Sequence, residues 1–222
     1  MNVFVTGTDT GCGKTFVSSA LIRHLCDLGM TVTGMKPVAT GAEWDGDLLV
    51  NEDVAELLAA SNANVAARDL NPYLFEPPTS PHIAAAAAGR AIELDIIVEA
   101  YARLARAAEC VVVEGGGGWR VPLSSEYDVE DLAMALNLPV LLVVGVKLGC
   151  INHARLSHEA ITGCGVPYLG WVANVLEDDL YEPRAVFETL TVALGGEPLA
   201  TCRHNDADEL QTVARHIVAA IP

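Results

Sequence analysis

Residues 2–6 (NVFVT) are a short apolar, β-branched run that stops at Gly7, and GTDTGCGKT (7–15) leads from it directly into a run with helical apolar spacing, 14–28 (KTFVSSALIRHLCDL), which ends at Gly29. A buried strand feeding a glycine-rich loop that opens a helix is the context a phosphate-binding loop requires. Glycines permit the tight backbone, successive amides can face phosphate oxygens, and the helix N-terminus adds positive potential. The spacing is not the standard GxxxxGKT: position 8 is Thr8, and the glycine stands one residue earlier at Gly7. Lys14 is placed to reach the outer phosphates of a nucleotide and the Thr15 hydroxyl to ligate Mg²⁺.

The rest of the chain repeats this alternation. Strands are expected at 31–36 (TVTGMK), 110–114 (CVVVE), 139–146 (PVLLVVGV) and in VPYLGWVAN ending near Asn174. Helices are expected at about 53–60, 93–108, 128–137, 152–163, 183–194 and 206–220, with a short one in IAAAAAGR. After Pro37, which stops the second strand, a loop rich in Gly and Asp is expected to run to the helix at about 53. PYLFEPPTSPH holds four prolines and cannot be one helix. Strands alternating with helices predict an α/β fold, a mostly parallel sheet with helices on both faces. With 222 residues and no repeat, low-complexity tract or evident linker, the whole chain (1–222) reads as a single domain.

Composition removes several function classes. A formal net charge of −16, from 29 acids against 13 bases, disfavours nucleic acid and anionic membranes, which need a basic footprint. No run approaches the roughly 20 apolar residues of a membrane span, and no export signal is visible, so a cytoplasmic location is expected. The six cysteines form no CxxC pair and the six histidines show no paired spacing, so buried thiols are expected and a zinc site is not.

Open parallel sheets bind ligands beyond the carboxyl ends of their strands, and five segments there carry unusual chemistry. Besides the phosphate loop, Lys36 ends the second strand in MKPVATG. Glu114 ends CVVVE and precedes Gly115, Gly116, Gly117 and Gly118. A carboxylate closing an apolar strand is poorly explained by packing, and Mg²⁺ is its natural partner. Asp53 can serve either as a helix cap or as a second metal ligand. In VGVKLGCINHA (144–154), Lys147 and Gly149 stand where a helix begins, and free amides there suit a carboxylate. Asn174 is either a turn asparagine or an amide reading the paired edge of a purine.

Taken together, GTDTxxGKT, KPVATG, TSPH, VEGGGGW, GVKLGCINH and GWVAN resemble the dethiobiotin synthetases, ATP-dependent ligases of the P-loop NTPase type. The resemblance runs from Asn2 to about Asn174. It implies conversion of 7,8-diaminopelargonate, CO₂ (or bicarbonate) and ATP to dethiobiotin, ADP and phosphate, through a carbamate and a mixed carbamic–phosphoric anhydride. It assigns catalysis to Lys36 and Lys14 and metal ligation to Thr15, Asp53 and Glu114. The nucleotide falls to Gly11, Cys12, Gly13, Lys14, Thr15, Phe16, Asp53, Glu114, Gly115, Gly116 and Gly117, with Asn174 reading adenine and Pro198, in Gly196-Glu197-Pro198-Leu199, near the base. The substrate falls to Thr10, Lys36, Thr40 and Gly117, and to Gly149, Cys150, Ile151 and Asn152, whose amides would reach its carboxylate from the partner subunit of a homodimer. Partitioning ATPases with a KGGxGKT loop are the nearest alternative, but their extra lysine would fall at Asp9. A corrinoid-amidating ligase would need a glutaminase domain for which the chain has no room.

Overall fold

The computed structural model describes residues 2–177, 179–203 and 214–219. Strand β1 (Asn2–Gly7) leads to α1 (Lys14–Asp27), then β2 (Val32–Met35), β3 (Val38–Ala39), the hairpin β4 (Glu43–Asp45) and β5 (Leu48–Val50), α2 (Glu52–Ala60), α3 (Ala67–Leu70) and β6 (Tyr73–Leu74). There follow α4 (Pro81–Ala87), α5 (Leu94–Ala107), β7 (Cys110–Glu114), α6 (Val129–Leu136), β8 (Val140–Val146), α7 (Cys150–Gly163), β9 (Tyr168–Val175), α8 (Pro183–Ala193) and β10 (Ala200–Arg203). Residues 214–219 are helical, and the remainder of the helix expected at 206–220 lies outside the described residues.

Six strands form one parallel sheet in the order β10-β9-β8-β1-β7-β2. The residues of its centre alternate between two cores, as the period-two pleat demands. Val3, Val5, Val112, Leu141 and Val143 pack with Val17, Leu21, Ile22 and Leu25 of α1 and Leu57 of α2. Phe4, Val111, Val113, Leu142 and Val144 face the other way, onto α5, α6 and α7 through Ile97, Leu104, Leu132, Ala154 and Ile161. Both faces are therefore covered, which is why these strands read as continuous apolar runs. Each fully buried aliphatic side chain contributes roughly 1.5–3 kcal/mol relative to exposure.

Three short pieces differ from expectation. The Gly/Asp-rich segment contains the antiparallel hairpin β4–β5, turning at Gly46 (φ 61°). β3 pairs with β6 from the proline-rich stretch. β10 adds an edge strand beside β9 where no strand is expected. Helix α7 begins at Cys150, two residues earlier than its spacing suggests, because Gly149 (φ 91°) supplies the left-handed turn that starts it.

Candidate active site

The register of β1 fixes the site. Val5 pairs with Glu114 and Gly7 with Val143, so the end of β1 lies between the ends of β7 and β8. The chain must then reverse tightly into α1. It does so at Gly13, the N-cap, in a left-handed conformation (φ 93°) where an added Cβ would come within 2.1 Å of Asn174 Nδ2. No side chain can stand there. Lys14 is buried and curls back so that its Nζ donates to the Asp9 carbonyl at 2.8 Å, with the Cys12 sulfur 3.9 Å away.

Beside the loop lies an ionic cluster centred on a buried lysine. Lys36, 4% exposed at the end of β2, places Nζ 2.5 Å from Glu114 Oε1 and 2.6 Å from Asp53 Oδ2. The Thr15 hydroxyl donates to the same Glu114 oxygen at 2.8 Å. Residues 15, 36, 53 and 114, far apart in sequence, thus meet at one edge of the sheet. The Lys36 backbone is fixed as well: its N–H donates to the Leu70 carbonyl and its carbonyl accepts from Asn71 Nδ2. Burial alone would lower the Lys36 pKa, but the charges of Glu114 and then Asp53 outweigh it and hold the ammonium above its ordinary value. Burial would likewise raise the Asp53 pKa. The Lys36 charge and hydrogen bond, helped by Thr15 and Lys14, reverse that and keep the carboxyl below the usual range.

The structure separates two roles that local sequence leaves open. Asn51 is the cap of α2, its Oδ1 accepting from Val54 N–H at 3.2 Å, so Asp53 in the first turn is free to face Lys36. Asn51 also donates through Nδ2 to the Thr40 carbonyl at 3.1 Å, tying the KPVATG loop to the helix that carries Asp53. Sequence reasoning missed this residue, although an asparagine directly before Glu-Asp at a helix start is a cap signal.

Thr15, Asp53 and Glu114 offer hard oxygen donors of the kind Mg²⁺ takes together with phosphate oxygens and water. One observation favours that fit. Glu114 is 0% exposed, yet its Oε2 has no hydrogen-bond partner, an arrangement that costs free energy unless a cation or donor engages it.

A cavity of about 490 Å³ opens from this cluster, lined among others by Thr10, Lys36, Thr40, Asp53, Ser80 and Gly117. The glycine loop closes its floor. Gly117 adopts φ 65°, and a Cβ there would meet Val121 at 2.8 Å. Gly116 and Gly118 are less constrained, since a Cβ at either would make only ordinary contact, 3.6 Å from the Val38 and Gly7 carbonyls respectively. Trp119 anchors the loop, its indole N–H donating to Glu130 Oε2 at 2.6 Å and its ring packing edge-on against Phe4.

Not every expected residue joins this cavity. Gly149, Cys150, Ile151 and Asn152 line a separate cavity of about 900 Å³ with Leu156, Tyr181 and Val186. Lys147 links that region to the phosphate loop through Asp9, at 4.0 Å, and Glu177 accepts from the Leu148 N–H at 3.0 Å. Phe16 lies half-buried in the first turn of α1. Pro198 lies half-buried just before β10. Asn174, expected either in a turn or on a purine edge, is a fully buried strand residue directly behind the phosphate loop.

A family model described as an AAA domain matches residues 1–218. The chain is similar to the ATP-dependent dethiobiotin synthetase of Xanthomonas oryzae pv. oryzae, 51% identical over 177 residues, which cover 80% of this chain and 79% of that one. It is 44% identical over 212 residues to the ATP-dependent dethiobiotin synthetase of Aromatoleum aromaticum, covering 95% and 94%. The chain belongs to the ATP-dependent dethiobiotin synthetase family. Among solved structures, the synthetase fold is similar to the Pyrococcus furiosus cell division ATPase MinD (TM-score 0.62, 17% identity, 99% of each chain). It is also similar to a ParA family ATPase from Chlorobium tepidum (TM-score 0.55, 12% identity, 99% and 92%). At that identity the two ATPases share the architecture alone.

Proposed function

We propose that this chain closes the ureido ring of dethiobiotin in biotin synthesis, using 7,8-diaminopelargonate, CO₂ and Mg-ATP, and that it works as one domain per subunit of a cytoplasmic homodimer. The observation that carries the reading is the Lys36 ammonium, held between Glu114 and Asp53 where the phosphate loop meets the 490 Å³ cavity. A fixed positive charge at that point can touch both a nucleotide's terminal phosphate and a small diamine's carboxylated nitrogen.

The chemistry proceeds in balanced steps. One amine nitrogen attacks CO₂ and loses a proton, giving a carbamate. A carbamate oxygen attacks the γ-phosphorus and the bond to ADP breaks. The second amine then attacks the carbamoyl carbon and gives up a proton to solvent, the bond from that carbon to the phosphate oxygen breaks, phosphate leaves with the electron pair, and the ring is closed. Lys36 neutralises the carbamate and the transferring oxygens, while Lys14 turns from the Asp9 carbonyl to the phosphates. The amides of residues 11–16 cradle the nucleotide, the backbone at 115–117 approaches it closely, and Pro198 borders the base. Thr10, Thr40 and Gly117 shape the diamine's place. Mg²⁺ held by Thr15, Asp53 and Glu114 would neutralise charge on the phosphates. The protein's part is positioning and preorganised charge, the main sources of phosphoryl-transfer catalysis.

Support for the dimer comes from the second cavity. Gly149, Cys150, Ile151 and Asn152 stand at a helix N-terminus and line a cavity that Lys36 does not border, and Leu148, Leu156 and Tyr181 around them are 87%, 59% and 85% exposed. Those amides would hold the carboxylate of a diamine seated in the partner. The six cysteines form no disulfide, which suits a reducing compartment, and no described helix is long and apolar enough to cross a membrane.

The test is an incubation of the purified chain with Mg-ATP and bicarbonate, with and without 7,8-diaminopelargonate. Dethiobiotin, ADP and phosphate should appear in equal amounts only when the diamine is present. ADP released at the same rate without it would instead indicate an ATPase. The methyl ester of the diamine should bind distinctly worse, as expected of a carboxylate held by amides.

A further inference from the structure

Ser80 lines the 490 Å³ cavity together with Lys36, Thr10 and Thr40, and its side chain is turned away from the task its position suggests. It is the N-cap of α4, with Pro81 in the first turn, yet its hydroxyl makes no capping bond, although serine at that position ordinarily accepts from an N–H of the first turn. The backbone is provided for otherwise. The Ile83 and Ala84 N–H groups donate to the Ser80 carbonyl at 3.0 and 3.1 Å, and the His82 N–H donates to the Pro122 carbonyl at 3.4 Å. Ser80 Oγ instead lies 3.1 Å from Nδ1 of the half-buried His82. A hydroxyl facing a cavity and backed by an imidazole can take a proton on one side and pass one on at the other. The ionisable side chains lining this cavity are Lys36 and Asp53. They are already committed to one another at 2.6 Å, with Lys36 also on Glu114.

We propose that Ser80 and His82 together take the proton that the attacking amine loses as its carbamate forms. This inference rests on the ring-closing reaction proposed above and supplies the acceptor for its first step. The amine nitrogen bonds to the carbon of CO₂ while one C–O electron pair moves onto oxygen. The N–H bond then breaks with its electrons left on nitrogen. Its proton goes to Ser80 Oγ as the hydroxyl's own proton goes to His82 Nδ1, the ring carrying its other proton on Nε2. The imidazolium so formed releases a proton to solvent, an exchange to which imidazole is suited at neutral pH. Ser80 touches the amine, whereas His82 acts through Ser80, positioning its hydroxyl as well as receiving its proton. At this stage no phosphate has been released that can act as the base, so the first step gains most from an acceptor in the protein. The segment joined to His82 through Pro122 carries Arg120, Glu126, Tyr127 and Asp128, of which Arg120 and Asp128 pair with each other at 3.3 Å. The cavity side presents Lys36 and Asp53.

Two conditions separate a proton acceptor from a structural pair. One is neutral pH with little bicarbonate; the other is alkaline pH with abundant bicarbonate, where amine and CO₂ form the carbamate in solution unaided. Dethiobiotin formation at saturating substrates would be measured under both for the wild type, His82→Gln and Ser80→Ala, together with KM for each substrate and Kd for Mg-ATP. His82→Gln can still bond the Ser80 hydroxyl but cannot take its proton. It should lower the neutral rate by about 10²-fold, the scale of a positioned acid–base group, and leave KM and Kd within about twofold. Most of the wild-type rate should return in alkaline bicarbonate. Ser80→Ala should behave in the same way, and this readout stands even if the glutamine variant fails to fold. A neutral rate left undiminished in both variants would overturn the proposal. A loss that persists in alkaline bicarbonate, or that falls on KM and Kd, would overturn it in favour of a structural role. A wild-type chain that forms no dethiobiotin under either condition would remove the ring-closing reading itself, and this inference with it.

Discussion

At the scale of single residues, the site is a balance of one buried ammonium against two carboxylates. Asp53 has its folded pKa below the ordinary 3.8. Its contribution to stability is therefore fully present above that value and is lost as pH falls through the folded pKa. Lys36 is raised above 10.5, so its contribution persists through neutral pH and is lost only as the solution passes that raised value. Melting temperatures of the wild type and Asp53→Asn should consequently differ at pH 7 and converge as the pH is taken well below 4. A gap that stays constant into strong acid would contradict the pairing of Lys36 with Asp53. Glu114→Gln keeps the shape of the side chain but removes the charge that faces the cation site through Oε2. The Mg²⁺ concentration giving half-maximal activity should rise, on the order of tenfold or more for loss of a charged ligand. An unchanged titration would count against metal ligation by Glu114.

At the scale of elements, legibility followed burial. β1, β7 and β8 lie in the middle of the sheet with both faces covered, so their apolar runs are long and unbroken and could be read directly. β10 has only four residues, alternates buried with exposed, and lies at an edge; its pairing is decided by β9 rather than by its own sequence. The hairpin β4–β5 consists of two three-residue strands that are almost wholly exposed, so no hydrophobic period marks it, although Asp45-Gly46 carries a turn signal. The site was legible for a related reason. Lys36 and Glu114 are charges at the ends of apolar strands, where packing cannot account for them. Asn51 carried a local cap signal that was passed over, whereas Trp119 and Glu130 were not legible, because their roles depend on partners brought in by tertiary structure. Glu130 shows what such a partner does. Its carboxylate receives the Trp119 indole and pairs with Arg120 at 3.1 Å, holding the glycine loop beside the site. Glu130→Ala leaves a buried N–H without an acceptor, which should cost about 1–3 kcal/mol of stability measured by denaturant unfolding. Glu130→Gln, which still offers an oxygen, should recover much of it.

For the whole molecule, a parallel sheet with its two cores brings the ends of β1, β2, β7, β8 and β9 to one edge, and that edge is where all the reactive side chains lie. The architecture is similar to that of MinD and a ParA family ATPase, and in the function proposed above the residues around Lys36 are what adapt it to ligation. The proposed homodimer adds one consequence at this scale. If the amides at 149–152 act on the partner's substrate, mixing a Lys36→Ala chain with an Ile151→Glu chain should restore activity. The mixed dimer holds one site with an intact Lys36 facing an intact helix N-terminus, and about a quarter of all sites in a random mixture would be of that kind. No recovery on mixing would place both parts of the site in a single chain.

The account stands on Lys36 acting in the chemistry rather than in nucleotide binding, and one variant examines this directly. For Lys36→Ala, ATP affinity and dethiobiotin formation would be measured on the same preparation. The expected result is an ATP Kd within about twofold of wild type with product formation reduced on the order of 10²–10³-fold, as for loss of a preorganised transition-state charge. Loss of ATP affinity in the same proportion as product, or product formation left undiminished, would contradict it.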